Sequence, residues 1–139
     1  VDELSESKFP HEIPNTFEFA QIQVGKLAEI MSNVRKSMKV SKNLAHMEVL
    51  DSGASGAVNF VLGFSGKDVG IAYKERVDKG IYAVSVRGSP SCKTHLGRLV
   101  SSVTSEIGGS GGGHDKACGA VIPKDKIKEF LKKMNSELG

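Results

Sequence analysis

Apolar residues recur along three segments of the chain at intervals of three or four positions, which is the spacing of one face of an α-helix. These segments cover residues 20–38, 96–107 and 127–138. Asn15 and Glu18 have the spacing of a capping box, so the first helix is predicted to begin near Asn15. Each of the three helices would bury one apolar face against a core.

Other segments have the patterns of strands. Residues 69–88 predict two strands joined through Asp78–Lys79–Gly80, a set of residues that favours a turn. Residues 44–51 and 117–122 predict two more strands. The apolar stretch 57–64 fits either a strand or a buried helix, and the glycine-rich turn before it favours the helix.

The order of these elements indicates the fold class. Helix, strand, helix, two strands, helix, strand and helix predict an α/β protein, with a small mixed sheet of about four to five strands and helices packed on it. A length of 139 residues is enough for one hydrophobic core. The sequence therefore predicts a compact single domain.

Composition narrows the class of function only slightly. The net charge of +3 permits an anionic partner without demanding one. Aromatic residues make up 6% of the chain and Trp is absent, which argues against an extended platform for stacking bases. No apolar run approaches the length of a membrane span and no signal-peptide pattern opens the chain, so we expect a cytoplasmic protein without membrane contact.

A glycine run raises the question of a binding site, because five of the six residues from Gly108 to Gly113 are glycine and His114 follows. The run could be a flexible linker. It could also be an ordered loop whose N–H groups converge on a phosphate, since glycine allows close approach of the main chain. The Walker and Rossmann patterns both fail here, because His114–Asp115 replaces the Lys–Ser/Thr pair and no helix follows the glycines.

Zinc binding is the competing interpretation. Four residues of suitable type are present, in a C-x-x-H pair and an H-x-x-x-C pair: Cys92, His95, His114 and Cys118. The same cysteines and histidines offer only weak support for nucleophilic catalysis, since no orienting signature accompanies them. Asp115 is the only acidic residue from Ile107 to Lys124, so the region is poorly equipped for metal-dependent hydrolysis.

The stretch "GGSGGGHDKACGAVIP" resembles the glycine–glycine–histidine motif of the DHH-associated domain, the C-terminal half of DHH-family phosphoesterases. "YAVSVRGS", residues 82–89, is similar to the strand of that family that carries a Ser-x-Arg element. "SGAVNFVLGFSGKDVGIAYKER" matches the helix and strand that open the domain. The resemblance covers about residues 44–138 and is greatest to archaeal RecJ-like proteins.

The resemblance implies a role in holding the phosphate of a substrate. Gly112 and Gly113 would present N–H groups to the phosphate, while His114 and Arg87 would donate to it from their side chains. Four residues are implied as auxiliaries: Ser85, Ser89, Gly111 and Lys116. The implied ligands are single-stranded nucleic acid, an oligonucleotide or a nucleotide.

The resemblance also implies that a catalytic half is missing. The acidic motifs that hold manganese or magnesium in the family, Asp-His-His included, do not occur in this sequence. We therefore expect no cofactor and no hydrolysis by this domain alone, with the DHH domain of a parent chain as its partner. A homodimer is also compatible with the sequence. Residues 1–43 would be a linker and connecting helix, and residues 44–139 the substrate-binding domain.

Overall fold

The computed structural model describes residues 28, 32–34, 36–50 and 54–138. The first helix that the sequence predicts, from near Asn15, lies largely outside the described residues. The remaining elements have the following bounds: β1 Lys39–Val40, β2 Ala45–Glu48, α1 Ala54–Ser65, β3 Val69–Arg76, β4 Ile81–Gly88, α2 Leu96–Ile107, β5 Ser110–Gly113, β6 Ala117–Pro123 and α3 Ile127–Leu138.

The strands form one six-stranded sheet in the order β1-β2-β3-β4-β6-β5. Strands β2 and β3 pair in parallel, because α1 crosses between them and returns the chain to the same end of the sheet. The other neighbouring pairs are antiparallel. Strands β3 and β4 are joined by the tight turn that residues 78–80 predict, in which Gly80 adopts the left-handed conformation.

The main hydrophobic core lies between one face of the sheet and helices α2 and α3. Alternate residues of β4 and β6 point into it, including Val84, Val86 and Ile122. Phe130 and Met134 of α3 are fully buried there, as the spacing of apolar residues along the final segment predicts. These contacts fix the faces to which the remaining residues of β4 and β6 point.

On the opposite face of the sheet, a helix covers only part of the strands. Helix α1 packs over β2, β3 and β4, and it buries Val58 and Val61 against Met47 and Ala72. Among the described residues, no element covers the corresponding face of β6. This bare part of the sheet positions the residues considered below.

The predicted fold class is confirmed. The mixed sheet has six strands rather than four or five, because the two-residue β1 and the glycine strand β5 lack the apolar alternation that marks a strand in a sequence. Residues 57–64 are helical, as the turn before them favours. None of the described helices has the length and apolar character needed to span a membrane.

Most of the glycine run, Ser110–Gly113, is an edge strand and not the loop predicted from its composition, while Gly108 caps the end of α2. Helix α2 lies so close to β5 that a Cβ atom on Gly97 would be 2.2 Å from the Gly113 carbonyl oxygen. A Cβ atom on Gly111 would be 2.8 Å from a methyl group of Val100. These positions therefore require glycine mainly because the helix packs directly against the strand.

Gly97→Ala should destabilise the protein by about 1–3 kcal/mol, the usual range for overpacking a tight contact. Gly63→Ala is the matched control, since Gly63 is also in a helix but has no neighbour within 4 Å of its virtual Cβ atom. This control should stabilise by about 0.5–1 kcal/mol, because alanine favours helices. Urea unfolding of both variants measures the difference. Equal effects of the two substitutions would contradict the close packing of α2 on β5.

Candidate functional site

The face of β4 and β6 that points away from the main core carries a set of polar and small residues that we call the shelf: Ser85 and Arg87 on β4, with Ala117 and Gly119 on β6. Helix α1 lies beside the β4 part of the shelf. Ser85 and Arg87 alternate with core residues, so their side chains point to the opposite face of the sheet from the main core. Ser85 pairs with Gly119, and Arg87 pairs with Ala117. Because the partners on β6 are so small, a flat ligand can lie across the strand beside both polar side chains.

Arg87 is half-buried and keeps most of its hydrogen-bonding capacity. Its Nη1 atom donates to the carbonyl oxygen of Val86 at 3.0 Å. Within the described part of the chain, its guanidinium forms no ion pair with a carboxylate. A guanidinium has five N–H donors, so several remain for a ligand.

His114 follows β5 in a turn whose backbone is held on two sides. Its N–H donates to the carbonyl oxygen of Ala117 at 2.9 Å, and its own carbonyl oxygen accepts from the N–H of Gly97 at 3.1 Å. Its side chain is exposed. Since Arg87 pairs with Ala117, the three residues lie in one row across the sheet. The Cα atoms of Arg87 and His114 are then about 10 Å apart, which is twice the usual strand spacing.

The hydrogen-bond pattern of the β5–β6 ladder gives the N–H groups of the three glycines before His114 different directions. Gly112 is opposite Gly119, and Gly113 is opposite Cys118. Because the N–H of His114 bonds to Ala117, the alternation of an antiparallel ladder directs the N–H groups of Gly111 and Gly113 away from β6, to the side of β5 along which α2 lies. By the same alternation the N–H of Gly112 points towards β6. A role of Gly113 as an amide donor stays a prediction.

A groove between α2 and β5 contains residues that the sequence analysis did not single out. Arg98 and Ser101 line it on the helix side, opposite Gly112 and Gly113. Gly112 has a φ of 152°, and the nearest atoms to its virtual Cβ atom belong to Gly97 and Ser101, at 3.8 and 3.9 Å. The available signal was the polar stripe of the amphipathic helix, where Arg98, Ser101, Ser102 and Ser105 recur at helical spacing.

Two of the predicted auxiliary residues have partners elsewhere. The Lys116 ammonium donates to the carbonyl oxygen of Cys92. The Ser89 hydroxyl donates to a carboxylate oxygen of Asp68 at 2.8 Å. The structure therefore places Arg87, Ser85 and His114 around β6. Lys116 bonds instead to the loop between β4 and α2, and Ser89, which belongs to that loop, bonds to Asp68.

The predicted zinc site is not formed. No group of three His, Cys, Asp or Glu side chains that could hold a metal occurs in the described part of the chain, which includes all four of the proposed ligands. His95 instead caps α2, where its Nδ1 atom accepts from the N–H of Arg98 at 3.1 Å. Cys92 and Cys118 are both buried free thiols. Spacing along the chain suggested the site, but the sheet directs these side chains to different places.

Cys118 is also poorly suited to act as a nucleophile. Burial raises the pKa of its thiol to about 11, although the nearby charge of Arg87 acts in the opposite direction. The thiol is then protonated at neutral pH, whereas attack requires the thiolate. Cys118 lies on the core side of β6 and packs with the main hydrophobic cluster.

Residues 41–139 match the DHHA1 domain family. Because this match covers most of the chain, the protein belongs to that family, the DHH-associated domains that the motif resembles. Uncharacterized protein MJ0831 from Methanocaldococcus jannaschii is 55% identical over 41 residues. That alignment covers 30% of this chain and 10% of the relative.

Solved structures share the fold. The pGpG-specific phosphodiesterase PggH from Vibrio cholerae superposes with a TM-score of 0.71 at 17% identity, over 90% of this chain and 42% of that one. A protein described as the PF0399 DHH domain gives a TM-score of 0.70 at 16% identity, over 92% and 33% of the two chains. The chain thus spans less than half the length of these proteins.

Cys118 should react slowly with iodoacetamide in the folded protein. A thiol pKa of about 11 lies two units above the ordinary value, so at pH 8 the thiolate fraction is about 100-fold lower. Mass spectrometry of the peptide that contains Cys118 measures the rate, and the same reaction in urea is the control. Equal rates in the folded and unfolded protein would contradict the burial of this thiol.

Proposed function

We propose that this domain binds the phosphate group of a nucleotide or of a single-stranded nucleic acid, as the substrate-binding part of a DHH-family phosphoesterase. The observation that carries the proposal is the row of Arg87, Ala117 and His114 across β4 and β6. It sets a guanidinium and an imidazole on either side of a strand that offers only a methyl group between them. This is a suitable arrangement for an oxyanion, since both side chains are donors to phosphate.

The chemistry around the shelf supports binding rather than cleavage. The described residues contain no cluster of carboxylates and histidines that could hold catalytic metal ions. In this proposal the metal ions belong to a DHH domain, and the present domain holds the substrate against it. The phosphodiesterase named above has the same fold over part of its chain and is described as specific for pGpG, a nucleotide.

The side of β5 that faces away from β6 contributes main-chain donors in this proposal. By the alternation of the ladder, the N–H groups of Gly111 and Gly113 point to this side, beside the exposed His114. Main-chain donors cannot move or change their protonation, so they favour an anion over a neutral group at any physiological pH. Across the α2–β5 groove, Arg98 adds a second guanidinium on the helix side of Gly112 and Gly113.

Arg87→Gln should weaken the binding of a 5′-phosphorylated oligothymidylate by roughly 10- to 100-fold, because a charge-assisted hydrogen bond contributes about 1.5–3 kcal/mol. His114→Ala should also weaken it, to a smaller extent. Fluorescence anisotropy with a labelled oligonucleotide measures both. Thermal melts of each variant check that the fold is retained.

Arg76→Gln is the matched control for Arg87→Gln. Arg76 is exposed at the far end of β3, where it pairs with Ile81, and it carries the same charge. Its replacement should change affinity by less than about twofold at moderate salt, since distant surface charges are screened. Unchanged affinity in both Arg87→Gln and His114→Ala would refute the proposed site. Equal weakening by all three substitutions would indicate attraction to net charge alone.

A further inference from the structure

A cleft at one end of the sheet concentrates lysine side chains that take no part in the shelf. We call it the lysine cleft. It has a volume of about 530 Å³ and lies between the β1–β2 turn, the α1–β3 turn, the β4–α2 loop and the end of α3. One lysine from each of the first three segments lines it: Lys42, Lys67 and Lys93. Three segments that are distant in sequence therefore bring positive charge to one place.

The positive charge of the cleft is only partly balanced. Asp68 is the one carboxylate that lines it. Its side chain accepts from the hydroxyl groups of Ser91 and Ser89, which hold its pKa below the ordinary value, so it stays ionised at neutral pH. Three ammonium groups and one carboxylate leave a surplus of two positive charges in a protein whose net charge is +3.

Two of the three lysines are free to meet a ligand. Lys67 donates to the carbonyl oxygen of Lys42 at 3.0 Å, which holds its side chain across the cleft. Lys42 and Lys93 are exposed, and their ammonium groups form no ion pair among the described residues. Three like charges that line one cleft repel one another, and an anion between them would relieve that repulsion.

The cleft and the shelf are connected through the end of β4. Val69, which lines the cleft, is the ladder partner of Gly88, the residue after Arg87. The N–H of Ser89 continues this contact by donating to the carbonyl oxygen of Asp68 at 2.8 Å. The cleft opens on the side of the sheet that α2 and α3 cover, whereas Arg87 points to the opposite face. A chain of phosphates that is held at Arg87 would reach the cleft by passing round the Gly88–Ser89 end of β4.

We propose that the lysine cleft binds the phosphodiester backbone of a single-stranded nucleic acid, at nucleotides beyond the phosphate held at the shelf. This inference rests on the proposed function and narrows its substrate class from nucleotides in general to oligonucleotides. No aromatic residue lines the cleft, so it offers charge without a surface for stacking bases. Binding there is independent of base sequence and sensitive to salt.

The test compares two ligands over a series of salt concentrations: thymidine 5′-monophosphate and a 5′-phosphorylated oligothymidylate of about eight nucleotides, within the usual site size for single strands. The variant is Lys42→Gln/Lys93→Gln. For the oligonucleotide, the slope of log K against log salt should fall by about 1.4, because each phosphate contact on a single strand contributes about 0.7. Affinity for the mononucleotide should not change.

Lys128→Gln/Lys132→Gln is the matched control, since it removes the same charge from exposed positions on α3. It should leave the slope within about 0.3 of the wild-type value, because these positions make no phosphate contact in the proposal. An equal loss of slope in both double variants would overturn the inference. A wild-type protein that binds the oligonucleotide no more tightly than the mononucleotide would also overturn it.

Arg87→Gln separates this inference from the proposed function. If Arg87→Gln lowers the affinity for both ligands and Lys42→Gln/Lys93→Gln lowers neither affinity, the phosphate site at the shelf is supported and the inference about the cleft is refuted. If Arg87→Gln changes nothing, the proposed function fails. Amide shifts of the wild-type protein give a second readout that needs no variant. Lys93 and Thr94 should shift with the oligonucleotide and not with the mononucleotide, and the absence of that difference would count against the cleft.

Discussion

The close approach of helix α2 to strand β5 is the contact on which the candidate site depends. A side chain at Gly97 or Gly111 would collide with the neighbouring backbone or with Val100, so the helix can lie directly on the strand. The N–H groups at the start of the helix then bond to the carbonyl oxygens of His114 and Asp115. This fixes the turn at His114 without using its side chain. The imidazole stays exposed on a backbone that cannot easily move.

One face of the sheet forms the main core, and the other face carries the candidate site. On one face, α2 and α3 bury the alternate residues of β4 and β6 in the main core. On the other face, α1 packs over β2, β3 and β4, and among the described residues β6 has no cover. Strand β4 thus contributes Val84 and Val86 to the core, and it presents Ser85 and Arg87 to a surface. A strand held by its core side gives its outer side a fixed position, which a binding site requires.

Local patterns predicted most of the elements, because helical spacing, alternation and turn residues act over a few neighbouring positions. They failed at β5, whose glycines have no side chains from which alternation could be read. They also suggested a zinc site, since Cys92 and His95 have ligand spacing. The structure shows that His95 caps α2 and that Cys92 is buried in the core. The lysine cleft could not be predicted either, because its lysines come from three separate segments.

By itself the sequence determined the α/β class, the helices of the domain and, through the glycine–histidine motif, the family to which the chain belongs. Tertiary structure alone decided that Arg87 and His114 share one row of the sheet, and that the glycine run is an edge strand beneath a helix. The reason is physical. Secondary structure follows from interactions between near neighbours, whereas strand register and the covered face depend on which distant segments pack together.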